Sequence, residues 1–146
     1  MAVTSASGAG PVNANGPVPP PAPLIDADSA GFWQATREGR IALCRCTGCG
    51  GWLARPLERC NRCAAPTEFA TVAGTGAVYS WTTVWRPQTP AFTIPYVPII
   101  VDVDEGWQML SNLIGCEHDA VEVGMRVEVE FHPLNDEITL PYFRPA

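Results

Sequence analysis

The sequence predicts a mainly β protein in three parts: a short N-terminal helix, a small ribbon pinned by cysteines, and a barrel of about five strands. Three observations predict it. Two Cys-x2-Cys pairs, Cys46/Cys49 and Cys60/Cys63, stand ten residues apart. Downstream of them, short apolar runs alternate with glycine and acidic turns, the pattern of strands joined by tight connections. Only one stretch, ahead of the cysteines, has capping residues and a glycine stop at the spacing of a helix.

The elements follow in order. Residues 1–23 hold a proline cluster (Pro17, Pro19, Pro20, Pro21, Pro23) among Ala, Ser, Gly, Asn and Val. That composition cannot bury enough apolar surface to offset the entropy of ordering it, so a disordered tail is expected. In 24–40, Asp28 or Ser29 can cap a helix that runs to Glu38, with Phe32, Trp33 and Thr36 on one side and Gly39 ending it. Residues 41–66 carry the cysteines. Within 67–146, strands are expected at 71–72, 77–86, 96–104, 107–114, 126–131 and 140–143. Alternation is clearest from Arg126 to His132, where Val127, Val129 and Phe131 share one face and the charges take the other. Tyr79, Trp81, Thr83 and Trp85 are expected on one face of the strand at 77–86, where they could stack on a flat ligand or simply pack across the sheet. Strands of this number and length, with no substantial helix among them, point to an OB-fold barrel.

The cysteine spacing reads as C-x2-C-x10-C-x2-C. Two residues between ligands let one tight turn aim both sulfurs at a single ion, and Gly48, Gly50 and Gly51 let the backbone close in. Cys46, Cys49, Cys60 and Cys63 are therefore the expected ligands of a Zn2+ ion. A shell of four thiolates leaves no position for water or substrate, so the metal is structural, and in a ribbon this small its binding is coupled to folding. An iron ion in the same tetrahedral sulfur cage is the alternative, told apart by colour. Cys44 and Cys116 stand outside the pattern. Cys116 is expected as a buried apolar thiol.

The chain of 146 residues carries a net charge of −6, and all nine of its cations are arginines. They are unevenly placed. Six of them, including Arg45, Arg55, Arg59 and Arg62, lie between residues 37 and 62 against two glutamates, whereas eleven carboxylates oppose three arginines from residue 64 onward. An anion-attracting surface is thus expected around the cysteines. No run approaches the length of a membrane-spanning helix, and residues 1–23 lack the basic start and apolar stretch of a secretory leader, so a cytoplasmic protein with reduced thiols is expected. His118 and His132 have no partner in a recognisable catalytic pattern, and no Gly-rich phosphate loop precedes a helix.

Taken together, Phe32-Trp33-Gln34-Ala35, Glu38-Gly39-Arg40-Ile41, the cysteine pairs, Gly74-Thr75-Gly76-Ala77-Val78-Tyr79-Ser80-Trp81, Pro90-Ala91-Phe92, Pro95-Tyr96-Val97, Leu110-Ser111-Asn112-Leu113-Ile114-Gly115 and Leu140-Pro141-Tyr142-Phe143-Arg144-Pro145 resemble the zinc-ribbon/OB-fold acyl-CoA-associated family. The resemblance covers about residues 28–146. It implies an N-terminal helical segment, a rubredoxin-like ribbon and a C-terminal OB-fold. It also implies a non-catalytic subunit of a hetero-oligomer, whose partner is a thiolase-superfamily protein such as an acyltransferase, a thiolase or a retro-aldolase that shortens steroid side chains. In such a complex Arg45, Arg55, Arg59 and Arg62 would meet the phosphates of CoA. Trp85 stands before Arg86-Pro87 where many relatives carry a histidine, so no imidazole role carries over there. The competing class is single-stranded nucleic-acid binding, common to ribbons and OB-folds, which the acidic β region opposes.

Overall fold

Helix α1 (Ala30–Arg37) begins at Ser29, but not through the expected cap. The Ser29 hydroxyl turns back to Asp26, 2.6 Å from Oδ1, while Asp26 Oδ1 accepts the Ser29 N–H at 2.8 Å and the Asp26 carbonyl accepts the Ala30 N–H. Asp26, rather than Asp28, thus sets the first turn. The other end closes as expected: the N–H groups of Gly39 and Arg40 bond to the carbonyls of Thr36 and Ala35, and Gly39 takes φ +74°. That pair of bonds needs a left-handed residue, which glycine supplies without a Cβ penalty. The computed structural model describes residues 20–53 and 55–146, so most of the tail expected at 1–23 lies outside the described residues.

Strands β1 (Ile41–Cys46) and β2 (Thr67–Val72) form an antiparallel two-stranded sheet, in register from Ile41↔Val72 to Cys46↔Thr67. The strand expected at 71–72 therefore reaches back to Thr67, because β1 gives it six partners. Side chains alternate on β1, so Ala42, Cys44 and Cys46 lie on one face and Ile41 and Leu43 on the other.

The remaining strands close a barrel in the order β3-β4-β5-β7-β6. They are β3 (Thr75–Trp81), β4 (Val97–Val103), β5 (Trp107–Leu113), β6 (Arg126–Pro133) and β7 (Thr139–Pro145). Neighbours are antiparallel except β5 and β7, which meet in parallel at Leu113↔Phe143. Val78, Val97, Ile99, Val101, Val103, Leu113, Val127 and Phe143 fill the interior, and Ile41 and Val72 from the two-stranded sheet join the same core. The mainly β class, the short helix and the closed five-stranded barrel are thus as the sequence predicts.

The long strand expected at 77–86 stops at Trp81. Opposite Thr82 stands Pro98, whose carbonyl accepts the Thr82 N–H but which has no N–H to return, so the ladder breaks. A bulge between Val78 and Ser80 also displaces Tyr79. Tyr79, Trp81 and Trp85 are exposed, but they do not share one strand face. Trp85 lies in the loop, its ring edge-on to His118 at 4.8 Å. Among the described residues no helix is long and apolar enough to cross a membrane.

Candidate functional site

The four cysteines converge as their spacing predicts. All four sulfurs lie within 4.8 Å of one another, with Cys46 to Cys63 at 3.4 Å and Cys49 to Cys60 at 3.8 Å. A tetrahedral ion about 2.3 Å from each sulfur requires sulfur–sulfur edges of about 3.8 Å, so the cage has the size of such an ion. Its donor set is all sulfur. The residues present therefore fit a closed, four-coordinate metal.

Two knuckles of the same backbone design build the cage. Cys46 donates its N–H to the Gly51 carbonyl and accepts from the Gly50 N–H; Cys60 donates to Ala65 and accepts from Ala64 in the same way. The fifth residue of each turn is left-handed, Gly50 at φ +69° and Ala64 at φ +59°. The N–H groups of Gly48 and Cys49 point at Cys46 Sγ from 3.3 and 3.4 Å, and the Arg62 N–H points at Cys60 Sγ from 3.4 Å.

These donors favour thiolates. The Cys49 N–H is the chief cause that draws the Cys46 thiol down to about 6, and the Arg62 N–H likewise lowers Cys60. At Cys63 the Ala65 N–H pulls downward, but the Cys46 sulfur beside it and burial outweigh that pull and push the thiol up to about 11. Four sulfurs this close cannot all carry charge unless a cation sits among them.

The structure places the predicted arginines at the knuckles, chiefly as braces. Arg45 and Arg59, each preceding the first cysteine of its knuckle, donate to the carbonyls of Gly50 and Ala64, both at 3.1 Å. Arg45 also lies over the Trp52 ring, 5.2 Å from its centroid, and Arg62 reaches the Trp52 carbonyl at 3.5 Å. Arg55 is exposed and makes no side-chain hydrogen bond among the described residues. Cys116 is partly buried, which raises its thiol, and the His118 ring packs edge-on to Trp85.

Two residues gain roles that spacing did not give them. Cys44 is 5% exposed and joins Cys46, Leu53 and Cys60 in a small core of its own around the cage. The alternation of Ala42, Cys44 and Cys46 was its only trace in the sequence. Trp52 donates its indole N–H to the Glu105 carbonyl at 2.9 Å, and the Glu105 side chain accepts the Ala73 N–H at 2.7 Å. The ribbon is thereby tied to the turn between β4 and β5, a contact across 53 residues that no local pattern announces.

Residues 70–132 match the family model described as ChsH2, C-terminal OB-fold domain. The chain is 36% identical over 127 residues to a probable enoyl-CoA hydratase alpha subunit of Thermomonospora curvata, covering 86% of this chain but only 40% of that relative. It is 30% identical over 109 residues to a DUF35 domain-containing scaffold protein of Methanocaldococcus jannaschii, covering 72% of this chain and 77% of that one. Among solved structures it is similar to a chain of the Ltp2-ChsH2(DUF35) aldolase, with a TM-score of 0.79 and 35% identity, over 85% of this chain and 98% of that chain. At 30% identity over 77% of the scaffold relative and 35% identity over 98% of the aldolase chain, this chain belongs to the DUF35 family, with a C-terminal OB-fold of the ChsH2 type.

Proposed function

We propose that this protein is an accessory subunit of an acyl-CoA-processing complex, in which it docks a thiolase-superfamily protein and helps to form the acyl-CoA site. The observation that carries the reading is the similarity, at 35% identity over 98% of its length, to a chain of the Ltp2-ChsH2(DUF35) aldolase. The scaffold name of a relative matched over most of its length agrees with it. The chain spans about two fifths of its hydratase relative, so a hydratase activity is not inferred from that name. In this reading the partner is a retro-aldolase acting on a steroid side chain, a thiolase or an acyltransferase, and it carries the reacting groups.

Zn2+ held by Cys46, Cys49, Cys60 and Cys63 is structural in this reading: when bound, it supplies folding free energy and charge neutralisation within a closed shell. Arg55 is the phosphate contact best placed to serve CoA, since its guanidinium is exposed and free of the bracing bonds that occupy Arg45, Arg59 and Arg62. CoA phosphates lie far from the bond that reacts and are held alike in ground and transition states. Arg55→Glu should therefore raise the KM of the complex more than it lowers kcat.

The test is to assay the purified subunit, a co-expressed thiolase-fold partner and their complex against acyl-CoA and 3-hydroxyacyl-CoA thioesters. Expected are no turnover by the subunit alone and a gain in partner solubility or activity in the complex. Turnover by the isolated subunit that is lost in Cys116→Ala would overturn the proposal. So would tight, salt-sensitive binding of single-stranded DNA without any effect on acyl-CoA turnover, which is the behaviour of the nucleic-acid class.

A further inference from the structure

A shell of four thiolates closes the metal to water and substrate, but it does not close its own sulfurs to reagents. Cys46 and Cys60 are 2% and 3% exposed, whereas Cys49 and Cys63 are open to solvent. Arg45, Arg59 and Arg62 brace the knuckles around them. Partial exposure in positive surroundings is the setting in which a cysteine sulfur reacts. The two remaining thiols are poorer targets. Cys44 is 5% exposed, Cys116 is partly buried with its thiol raised, and neither belongs to the group of four whose sulfurs lie within 4.8 Å of one another.

The cage also decides which sulfurs can join. Its two sulfur–sulfur contacts, Cys46 to Cys63 at 3.4 Å and Cys49 to Cys60 at 3.8 Å, both run from one knuckle to the other. Each sets an exposed sulfur beside a buried one. Spacing alone suggests the opposite pairing, because a C-x2-C pair is the redox unit of thioredoxin-like sites.

We propose that Cys49 and Cys63 are sites of oxidation by hydroperoxides, each resolved by the buried cysteine of the opposite knuckle, so that disulfides from Cys49 to Cys60 and from Cys46 to Cys63 replace the metal. The exposed thiolate attacks a peroxide oxygen: an S–O bond forms, the O–O bond breaks, and the departing alkoxide or hydroxide takes up a proton. The buried thiolate then attacks that sulfenic acid: the S–S bond forms, the S–O bond breaks, and hydroxide leaves to become water. Two thiolates lose two electrons and one hydroperoxide gains them. The first disulfide removes two of four donors, which opens the shell and frees the ion. Only the cage is involved, so the proposal stands apart from the accessory function suggested above.

The experiment treats the full Zn2+-loaded chain with one equivalent of hydrogen peroxide, stops the reaction with catalase, blocks free thiols with N-ethylmaleimide in denaturant and digests with trypsin. Cleavage after Arg45, Arg59 and Arg62 puts Cys46 and Cys49 on one fragment and Cys60 and Cys63 on two others, since Arg55 precedes a proline and resists the protease. Expected is the 46–59 fragment linked to 60–62 or to the fragment that begins at Cys63, with Cys49 opposite Cys60 and Cys46 opposite Cys63 on fragment sequencing. About one Zn2+ should be released for each chain that gains its first disulfide. Cys44 and Cys116 should be recovered as maleimide adducts, and dithiothreitol with Zn2+ should restore the metal content. A disulfide internal to 46–59, a link between 60–62 and the Cys63 fragment, first oxidation at Cys116, or sulfinic acid at Cys49 or Cys63 without any disulfide would overturn the proposal. So would Zn2+ retained in full under a roughly tenfold excess of peroxide.

Discussion

Gly50 and Ala64 do the same job in the two knuckles, and only one of them is glycine. A left-handed alanine costs about 1–2 kcal/mol, which the second knuckle offsets with the Ala64 N–H bond to Cys60 and the Arg59 bond to the Ala64 carbonyl. Arg45 and Arg59 therefore each belong to the metal turn that follows them. Among the cysteines, Cys46 and Cys60 are the most telling positions to change, since they are 2% and 3% exposed and belong to both the cage and the small core. Cys60→Ser leaves three thiolates and a weak fourth donor, so the metal content of the purified protein should fall from about one ion per chain to almost none. The ribbon should then lose its amide dispersion while most barrel resonances persist. Stoichiometric metal with an unchanged melting curve would contradict the four-ligand cage.

Among the elements, β6 alternates as its sequence predicts, with Val127 fully buried and Val129 and Phe131 half-buried against the core. Its outer face pairs in register with β7, where Arg144 meets Glu128 and Glu130 across the ladder. A second clasp joins three elements: Arg126 at the start of β6 holds both oxygens of Asp104 after β4, at 2.8 and 2.7 Å, and the Thr75 hydroxyl of β3 donates to the same carboxylate at 2.6 Å. Those hydrogen bonds, from Arg126 first and Thr75 next, hold Asp104 well below the usual carboxylate range and raise Arg126. A carboxyl group lowered by folding stabilises the fold above its unfolded pKa of about 3.9 and loses that contribution as pH falls further. Melting temperatures of the wild type and Asp104→Asn should therefore differ at neutral pH, the wild type being higher, and draw together below about pH 4. Both chains share the protonation of the cysteine cage, so it cancels from the comparison. A gap that stays constant to acid pH would show that the clasp carries no charge-dependent stability.

At the scale of the whole molecule, ribbon and barrel are not independent. Ile41 and Val72 enter the barrel core, and Trp52 bonds to the turn at Glu105. Metal binding in the ribbon should thus be felt in the barrel. Trp52→Phe keeps the ring over which Arg45 lies but removes the indole donor, leaving the Glu105 carbonyl to water; a loss of about 0.5–1.5 kcal/mol is expected by denaturant unfolding. The more diagnostic readout is coupling. In the wild type, stripping the metal with a chelator should speed hydrogen exchange in β4 and β5 as well as in the ribbon, and in Trp52→Phe the effect on β4 and β5 should shrink. Identical exchange of these strands with and without metal in the wild type would refute the link.

The sequence by itself determined the elements whose causes are local. Ligand spacing named the four cysteines of the cage, alternation named the faces of β6, and glycine named the end of α1, because each rests on residues within a turn or a strand of one another. α1 starts at Ser29, one of the two caps the composition allows, but the Ser29 side chain turns back to Asp26 instead of onto the helix, and only the backbone path decides that. Tertiary structure decided everything that depends on a distant partner. Pro98 cuts β3 short because it faces Thr82, β2 extends to Thr67 because β1 lies beside it, and Trp52 of the ribbon bonds to the Glu105 carbonyl 53 residues away. A groove beside Cys44 has the same origin: it is lined by Asp28 ahead of α1, Leu57 of the loop between the knuckles and Phe69 of β2, and no periodicity in one segment records which residues of another will cover it.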